Sequence, residues 1–326
     1  MSFSICCHAL LNSDICVLPT ETVYGLACSA LSSRAINKVF FLKGRPSNNP
    51  LIVHVLNHTC AKKVCITNDI SKKLSESFWP GPLTLVLPKK SCIPYEITAG
   101  LNSVAVRAPA HPTFRKILDY TKIPIAAPSA NPSNKLSPTK YQDVLDAFGE
   151  KCPPIIDGGQ CELGIESTVL DLTTKKPCIL RHGPITASQI EAVLKIQIQN
   201  NSSSTSGAKN QSRKSPGQGS KHYAPNTPLY LHSTLENMIS SSIIKENDIL
   251  ILPHDKINTE QVKNKISSLS LSSTGSPHET AKNLYSVLRH ADKLKKSKIH
   301  ISLYPSQNGS FIAVNDRLTR ASTKSV

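Results

Sequence analysis

The sequence predicts an α/β protein in two parts. Short runs rich in valine and isoleucine alternate with amphipathic segments up to about residue 195, an abrupt polar stretch follows at 197–220, and a shorter set of the same alternation lies beyond it. These observations give a larger domain over 1–195, a linker over 196–226 and a smaller α/β domain over 227–326.

In chain order, ICVL at 15–18, LIVHV at 51–55, LTLVLP at 83–88, SVAVR at 103–107, IPIAAP at 123–128 and STVLDL at 167–172 are expected strands. Most carry Val or Ile and end at Pro, Gly or polar turn residues. SSRAINKVFFLKG at 32–44, HPTFRKILDYT at 111–121 and TKYQDVLDAFG at 139–149 are expected helices from apolar spacing near 3.6, with Gly44 and Gly149 at their ends. Segment 197–220 has almost nothing to bury and is expected to be a flexible link. Beyond it, LYLH at 229–232, DILILP at 248–253 and IHISLYP at 299–305 are expected strands, with a helix over 279–294. No internal repeat relates the two parts.

Composition narrows the class. The 326 residues are 39% hydrophobic and 18% charged, enough apolar side chain for substantial cores. A formal net charge of +16 favours anionic partners such as nucleotides, RNA or an acidic membrane surface, without choosing among them. No run approaches the apolar length of a spanning helix, and Asn12, Ser13 and Asp14 interrupt an N-terminus without a basic leader, so a soluble, cytoplasmic protein is expected. The ten cysteines lie between Cys6 and Cys178 with no CxxC pair, which reads as scattered reduced thiols rather than a zinc or disulfide site.

Several stretches carry polar chemistry next to strands. PTETVYGLACSA at 19–30 places two threonines, a glutamate and a tyrosine after the first apolar run. In KGRP at 43–46, Lys43 and Arg45 form either a phosphate clamp at a helix exit or a solvated helix end. Arg107 and Arg181 each close a strand-like run, at the rim of a sheet or at a shared anion site. In APSANPS at 127–133, prolines hold the backbone so that Ser129 and Asn131 present polar side chains; a plain turn is the competing reading. Ser167 and Thr168 bring hydroxyls to a strand start after a glycine-rich approach, and His54 inside its strand reads as a satisfied core or edge histidine. There is no GxxxxGK[ST], GxSxG, HExxH or clustered Cys/His site, and no metal ligand is assigned. A donor-rich, cationic pocket without a covalent catalyst suits adenylylation, where positioning and charge stabilisation do the work.

Taken in order, PTETVYGL at 19–26, LKGRPSNNPLIVHV at 42–55, FWPGPLTLVLPK at 78–89, VAVRAPAHP at 104–112, IAAPSANPS at 125–133, IIDGG at 155–159, GIESTV at 164–169 and LRHGPIT at 180–186 resemble the YrdC/Sua5 family. SKHYAP at 220–225 and AVNDRLTRA at 313–321 resemble its long, two-domain form. The resemblance implies a twisted mixed-sheet YrdC-like domain followed by a smaller Sua5-type α/β domain. It implies synthesis of threonylcarbamoyl-AMP and pyrophosphate from L-threonine, bicarbonate or CO2, and ATP with Mg2+, toward threonylcarbamoylation of adenosine 37 of tRNA. Direct contact with tRNA or with the tRNA threonylcarbamoyl-transfer complex stays open.

Carried over by position, Lys43, Arg45 and Arg107 are the implied catalytic residues. With Ser129, Asn131, Arg181 and Tyr223 they are also expected at the nucleotide. Thr20, Thr22, His54, Ser167, Thr168 and His222 are expected at the threonine substrate. The resemblance further implies that the linker closes over the cleft as a lid, although Gln218, Gly219 and Ser220 depart from the bulkier family pattern and His182 stands where proline is commoner. Two other readings remain at this stage. One is a related enzyme forming carbamoyl-AMP from carbamoyl phosphate, which generally carries extra modules for which this chain has no length; the other is a non-enzymatic RNA-binding protein.

Overall fold

The computed structural model describes residues 2–200, 214–216, 222–255, 257, 266–305 and 309–326. The chain forms two compact units. Unit 1 comprises 1–133, 138–162 and 166–218; unit 2 comprises 134–137, 163–165 and 219–326.

Unit 1 begins with α1 (Ser2–Leu11), β1 (Ile15–Leu18), β2 (Gly25–Ser29), α2 (Ser33–Lys43), β3 (Ile52–His54), α3 (His58–Ala61) and α4 (Asp69–Phe78). It continues with β4 (Leu83–Pro88), α5 (Tyr95–Thr98), β5 (Ser103–Arg107), α6 (Pro112–Thr121), β6 (Ile125–Ala126) and α7 (Tyr141–Phe148). The last elements are β7 (Thr168–Asp171), β8 (Cys178–Arg181), α8 (Ala187–Leu194) and β9 (Gln199–Asn200). The strands make one nine-stranded mixed sheet in the order β1-β2-β6-β3-β5-β4-β7-β8-β9.

Unit 2 contains β10 (Leu229–His232), α9 (Leu235–Ile239), β11 (Ile249–Leu252), β12 (Ser267–Ser270), α10 (Pro277–Lys293), β13 (Ile299–Ser302), α11 (Gly309–Ala321) and β14 (Lys324–Ser325). Its five strands run in the order β12-β11-β13-β10-β14, every pair parallel. A mixed sheet in unit 1 and a smaller α/β unit 2 agree with the fold class read from the sequence.

Local chemistry explains the helices that the sequence announces. Ser32 caps α2 by accepting the Ala35 N–H, and Gly44 closes it at φ 58°, where its N–H reaches the last turn. Pro112 opens α6 behind His111, whose ring nitrogen accepts the Thr113 N–H. The expected strand at 123–128 shrinks to Ile125–Ala126, because Pro124 and Pro128 supply no N–H to a ladder. Gln199–Asn200, inside the expected link, pairs with β8 instead, and Ile198 is buried beneath it. The rest of that link at 201–213 and 217–221 lies outside the described residues.

Strand register divides the central sheet of unit 1 into two faces. Val53, Leu85, Val104, Val106 and Leu170 point into the large core packed by α2, α4 and α8. Their alternates Ile52, Val86, Ala105 and Val169 form a small separate cluster with Leu180 on the other face. His54, Thr84, Arg107 and Arg181 share that second face by the same alternation. A sheet face left thinly apolar and lined with charge is where a polar ligand can be held.

Among the described residues no helix is long and apolar enough to cross a membrane. None of the ten cysteines, all of them among the described residues, is in a disulfide.

Candidate active site

The site is built around Arg107, the last residue of β5, which is 3% exposed. Its Nε donates to the Gly81 carbonyl at 3.1 Å and its Nη1 to the Thr22 hydroxyl at 3.0 Å. Nη2 lies 2.6 Å from Glu21 Oε1. Burial pushes the Glu21 carboxyl upward, but the charge of Arg107, the bond to it and backbone hydrogen bonds from Glu21 and Ala110 together outweigh burial and leave the carboxyl below its ordinary value.

The turn at 19–24 that supplies Glu21 and Thr22 is held by Thr20. Its hydroxyl accepts the N–H groups of Thr22 and Val23, both at 3.1 Å, and donates to the Val23 carbonyl at 2.7 Å. The Thr22 and Thr20 hydroxyls are 2.8 Å apart. The contacts run from Arg107 through Thr22 and Thr20 to a backbone carbonyl. Tyr24 anchors the same turn: its buried phenol donates to the Gly159 carbonyl at 2.7 Å and accepts the Gly158 N–H at 3.0 Å. Burial is the main force holding that phenol protonated.

Across the sheet the polar row continues. Thr84 Oγ1 and Ser167 Oγ are 2.7 Å apart, and Arg181 donates to Ser167 twice, from Nε to the carbonyl and from Nη2 to the hydroxyl, each at 3.0 Å. Gly183 permits this approach of chain to chain, since a Cβ there would stand 2.4 Å from the Thr168 nitrogen. Thr168 itself points the other way. It pairs with Leu83 in register, and its hydroxyl donates to the Ile185 carbonyl at 2.6 Å while accepting the Ile185 N–H at 3.0 Å. Of the two adjacent hydroxyls, the structure brings Ser167 to the row and leaves Thr168 on the packed face.

His54 is the register partner of Arg107 and lies 2% exposed against the Phe114 ring, with centroids 5.1 Å apart. Its Nδ1 is 3.3 Å from the Ile125 carbonyl, and burial, with Arg107 second, pulls its pKa down to about 3.

Lys43 and Arg45 engage different loops. The Lys43 ammonium donates to the carbonyls of Ser129 and Asn131, each at 2.5 Å. Burial, then the charge of Arg45, pulls its pKa well below the usual lysine range. Arg45 donates from Nε to the Asn49 carbonyl at 3.0 Å and from Nη2 to Asn49 Oδ1 and the Pro50 carbonyl at 2.7 and 2.6 Å. Ser129 and Asn131 thus meet Lys43 through their backbone, while Asn131 Nδ2 donates to the Pro132 carbonyl at 2.9 Å. The 129–131 loop also joins the 19–24 turn, through Ala130 N–H to the Tyr24 carbonyl at 2.8 Å.

His222 and Tyr223 belong to unit 2. The His222 N–H donates to the Arg320 carbonyl at 3.0 Å, and Tyr223, at φ 63° and 1% exposed, has the Arg317 guanidinium 5.2 Å from its ring centre and Tyr285 alongside. The departures at Gln218, Gly219 and Ser220 lie outside the described residues.

Sequence reasoning quoted but did not single out Glu21, Tyr24 and Thr84. Glu21 had a legible signal, a carboxylate between two threonines in an otherwise apolar neighbourhood. Thr84 had none, because only the register with β7 brings it to Ser167. Among the described residues no group of three or more His, Cys, Asp or Glu side chains is gathered to hold a metal ion.

Residues 8–183 match the family described as Sua5, YciO and YrdC, telomere recombination, and residues 185–323 match the threonylcarbamoyl-AMP synthase C-terminal domain. The chain is 36% identical over 324 residues to the threonylcarbamoyl-AMP synthase of Pyrococcus abyssi, covering 95% of this chain and 91% of that protein. It is 36% identical to the Bacillus subtilis threonylcarbamoyl-AMP synthase over 320 residues, covering 96% and 90%. The crystal structure of P. abyssi Sua5 complexed with L-threonine superposes with a TM-score of 0.88 at 34% identity, over 99% of this chain and 96% of that one. E. coli YciO, at 18% identity and a TM-score of 0.52, shares the fold over 58% of this chain and 94% of its own.

Proposed function

The chain belongs to the YrdC/Sua5 family as a two-domain threonylcarbamoyl-AMP synthase, and from that premise we propose the reaction and residue roles that its own site supports. It condenses L-threonine with bicarbonate or CO2 and transfers the adenylyl group of ATP to the product, releasing pyrophosphate. The observation that carries this reading is the buried polar row from His54 and Arg107 through Thr84 and Ser167 to Arg181, laid across one sheet face of unit 1.

In the first step the neutral amine of threonine attacks the carbon of CO2 and loses a proton, or attacks bicarbonate and expels water, giving a carbamate. One carbamate oxygen then attacks the α-phosphorus, and the bond to the bridging oxygen breaks as pyrophosphate leaves. Arg107, with Thr22 and Ser167 beside it, faces the amino acid and its carbamate, while Lys43, Arg45 and Arg181 face the phosphates. These cations offset charge that moves toward the leaving pyrophosphate, and their fixed partners make them preorganised rather than reorganising during the step. His54, neutral and buried, serves as a hydrogen-bond partner rather than as a cation. Mg2+ brought in with ATP would offset phosphate charge, and no residue is assigned to hold it.

The test is pyrophosphate release with each substrate omitted in turn, coupled to mass detection of the nucleotide. Release that requires both threonine and bicarbonate, with threonylcarbamoyl-AMP as product, is the expected result. Turnover independent of threonine, or no adenylate product from folded protein, overturns the reading.

A further inference from the structure

Two short stretches enclosed by the chain of unit 1, 134–137 and 163–165, belong to unit 2. Both are held on α10. Arg289 of that helix donates from Nη2 to the carbonyls of Ser137 and Leu136, at 3.1 and 3.4 Å, one N–H for each. Seven residues earlier, and so about two turns along the same helix face, Lys282 meets the other stretch. A Cβ on Gly164 would stand 2.3 to 2.7 Å from the Lys282 backbone, so the two chains pass as closely as a glycine allows.

The stretch 134–137 is a strap outside the named strands and helices. Asn134 turns it at φ 68°, with its carbonyl accepting the Ala224 N–H at 2.9 Å. Leu136 and Ser137 are 4% and 0% exposed, so protein donors rather than bulk water must serve their carbonyls, and Arg289 serves both. The two ends of the strap carry that anchoring into the site. Just before it the Ser133 N–H donates to the Lys43 carbonyl at 2.8 Å, and just after it the Pro138 carbonyl accepts the Tyr24 N–H at 2.9 Å. The ammonium of the same Lys43 holds the carbonyls of Ser129 and Asn131. One strap thus joins the loop around Lys43 to the turn at 19–24, and Arg289 grips it between those ends.

We propose that Arg289 is a positioning residue for this reaction, holding the Leu136 and Ser137 carbonyls so that the strap keeps Lys43 and the 129–131 loop in the arrangement that meets the ATP phosphates. The inference rests on the functional reading above, in which Lys43 faces the phosphates, and adds to it a residue of unit 2. Arg289 acts through the chain and not on the reacting atoms. An arginine suits the task because its planar fork serves two acceptors while losing less freedom per hydrogen bond than a lysine would. Its effect falls on the rate of adenylyl transfer, where Lys43 offsets charge, more than on the affinity for either substrate.

Steady-state pyrophosphate release and amide hydrogen exchange of the full chain test it, each variant being read below its unfolding transition. The variants are Arg289→Met, Arg289→Lys, Lys43→Met and the double variant Lys43→Met/Arg289→Met. Met238→Ala is the control: it opens the unit 2 core beside Leu250 and Leu252 and leaves the strap's donor in place. Arg289→Met keeps most of the stem and removes the donors, and it lowers kcat about 10-fold, the scale of one charge-assisted hydrogen bond, with both KM values within about 3-fold. Arg289→Lys keeps a charged donor and recovers at least about half of that loss on a logarithmic scale. In the Lys43→Met background, Arg289→Met adds less than about 2-fold, because the group it positions is gone. Exchange quickens in peptides 19–26 and 129–139 of Arg289→Met and stays at the wild-type rate in Met238→Ala. Wild-type kcat in folded Arg289→Met overturns the proposal, as does a full effect on top of Lys43→Met, an equal kcat loss in Met238→Ala, or Arg289→Lys no better than Arg289→Met. Should Arg289→Met fail to fold, Arg289→Gln takes its place with an expected loss of about 5-fold in kcat, and wild-type kcat there overturns the proposal in the same way. A wild-type chain that releases no pyrophosphate with threonine overturns the functional reading itself; the exchange comparison is independent of turnover and still reports whether Arg289 holds the strap.

Discussion

His54 and Arg107 are register partners on adjacent parallel strands and face the same side of the sheet. A guanidinium next to a buried imidazole opposes a second positive charge, and His54 is accordingly neutral, with its pKa pulled down to about 3. Its Nδ1 faces the Ile125 carbonyl at 3.3 Å, and the Ile52 carbonyl also acts on the ring. The strand ladder thereby sets a neutral imidazole beside a guanidinium on one face.

That arrangement gives a pH dependence whose sign follows from linkage. The folded-state pKa lies below the ordinary 6.5, so between 6.5 and about 3 the unfolded chain binds a proton that the folded one refuses. Stability is complete above 6.5 and is lost as pH falls through that window. At pH 4.5 the loss from His54 reaches about 2.7 kcal/mol, taken as two units at 1.36 kcal/mol each. Denaturant unfolding of wild type and His54→Gln at pH 7.5 and 4.5 checks it: the variant is less stable at neutral pH but loses about 2 to 3 kcal/mol less on acidification. An equal acid loss in both proteins would contradict the assignment of a neutral, buried imidazole.

Two glycines separate steric need from backbone need. At Gly183 a Cβ would stand 2.4 to 2.6 Å from backbone atoms of Thr168, Glu166 and Ser167, which no rotamer change relieves. Gly183→Ala should cost about 2 to 3 kcal/mol by displacing the segment 166–168 that leads into β7, and threonine-dependent turnover should fall with it. At Gly44 nothing lies within 4 Å and only φ 58° is demanding, so Gly44→Ala should cost about 1 kcal/mol and leave turnover near wild type. Chemical denaturation alongside pyrophosphate release distinguishes the two.

Lys43 is held by carbonyls rather than by a carboxylate, so its positive charge is not cancelled by its two named partners. Lys43→Met keeps most of the buried stem and removes the charge. If the ammonium offsets phosphate charge in the transition state, kcat should drop about 100-fold or more, the scale of one electrostatic group, beyond the loss of about 1 to 3 kcal/mol in stability expected from leaving the Ser129 and Asn131 carbonyls without this donor. A kcat within a few-fold of wild type would remove Lys43 from the phosphate site and leave it a loop anchor.

What was legible in the sequence followed from local rules, and what was not depended on register. The strands at 15–18, 83–88 and 103–107 fall where Val and Ile runs meet turn residues, and Gly44 and Pro112 mark helix ends by their own backbone limits. β2 was not foreseen, because GLACS lacks β-branched side chains and is a strand only through its neighbours β1 and β6. α4 was not foreseen either; its start is fixed by an Asn68 and Ser71 capping box inside a polar segment. At the site, Arg107, Ser167 and Arg181 were recognisable as strand-end polar residues. Their assembly was not, since Thr84 joins them only because β4 pairs in parallel with β7. The expectation that Lys43 and Arg45 act as one clamp likewise meets a structure in which each is tied to a different loop.

Ser167 and Thr168 give the sharpest separation of site from scaffold, because they are neighbours in the chain and oppose each other in space. The Ser167 hydroxyl meets Thr84 and Arg181 on the polar face. Thr168 satisfies both the N–H and the carbonyl of Ile185 on the packed face and is fully buried. Thr168→Val keeps the shape and leaves both Ile185 groups unpaired, at a cost of about 1 to 3 kcal/mol in stability, while kinetic constants stay close to wild type. Ser167→Ala removes one hydroxyl between two partners, costs less than about 1.5 kcal/mol, and should reduce kcat/KM for threonine about 10-fold by breaking the hydroxyl link between Thr84 and Arg181. Parallel denaturation and steady-state assays on the two variants check the contrast: a kinetic defect in Thr168→Val with none in Ser167→Ala would mean that the face carrying the reaction is the other one.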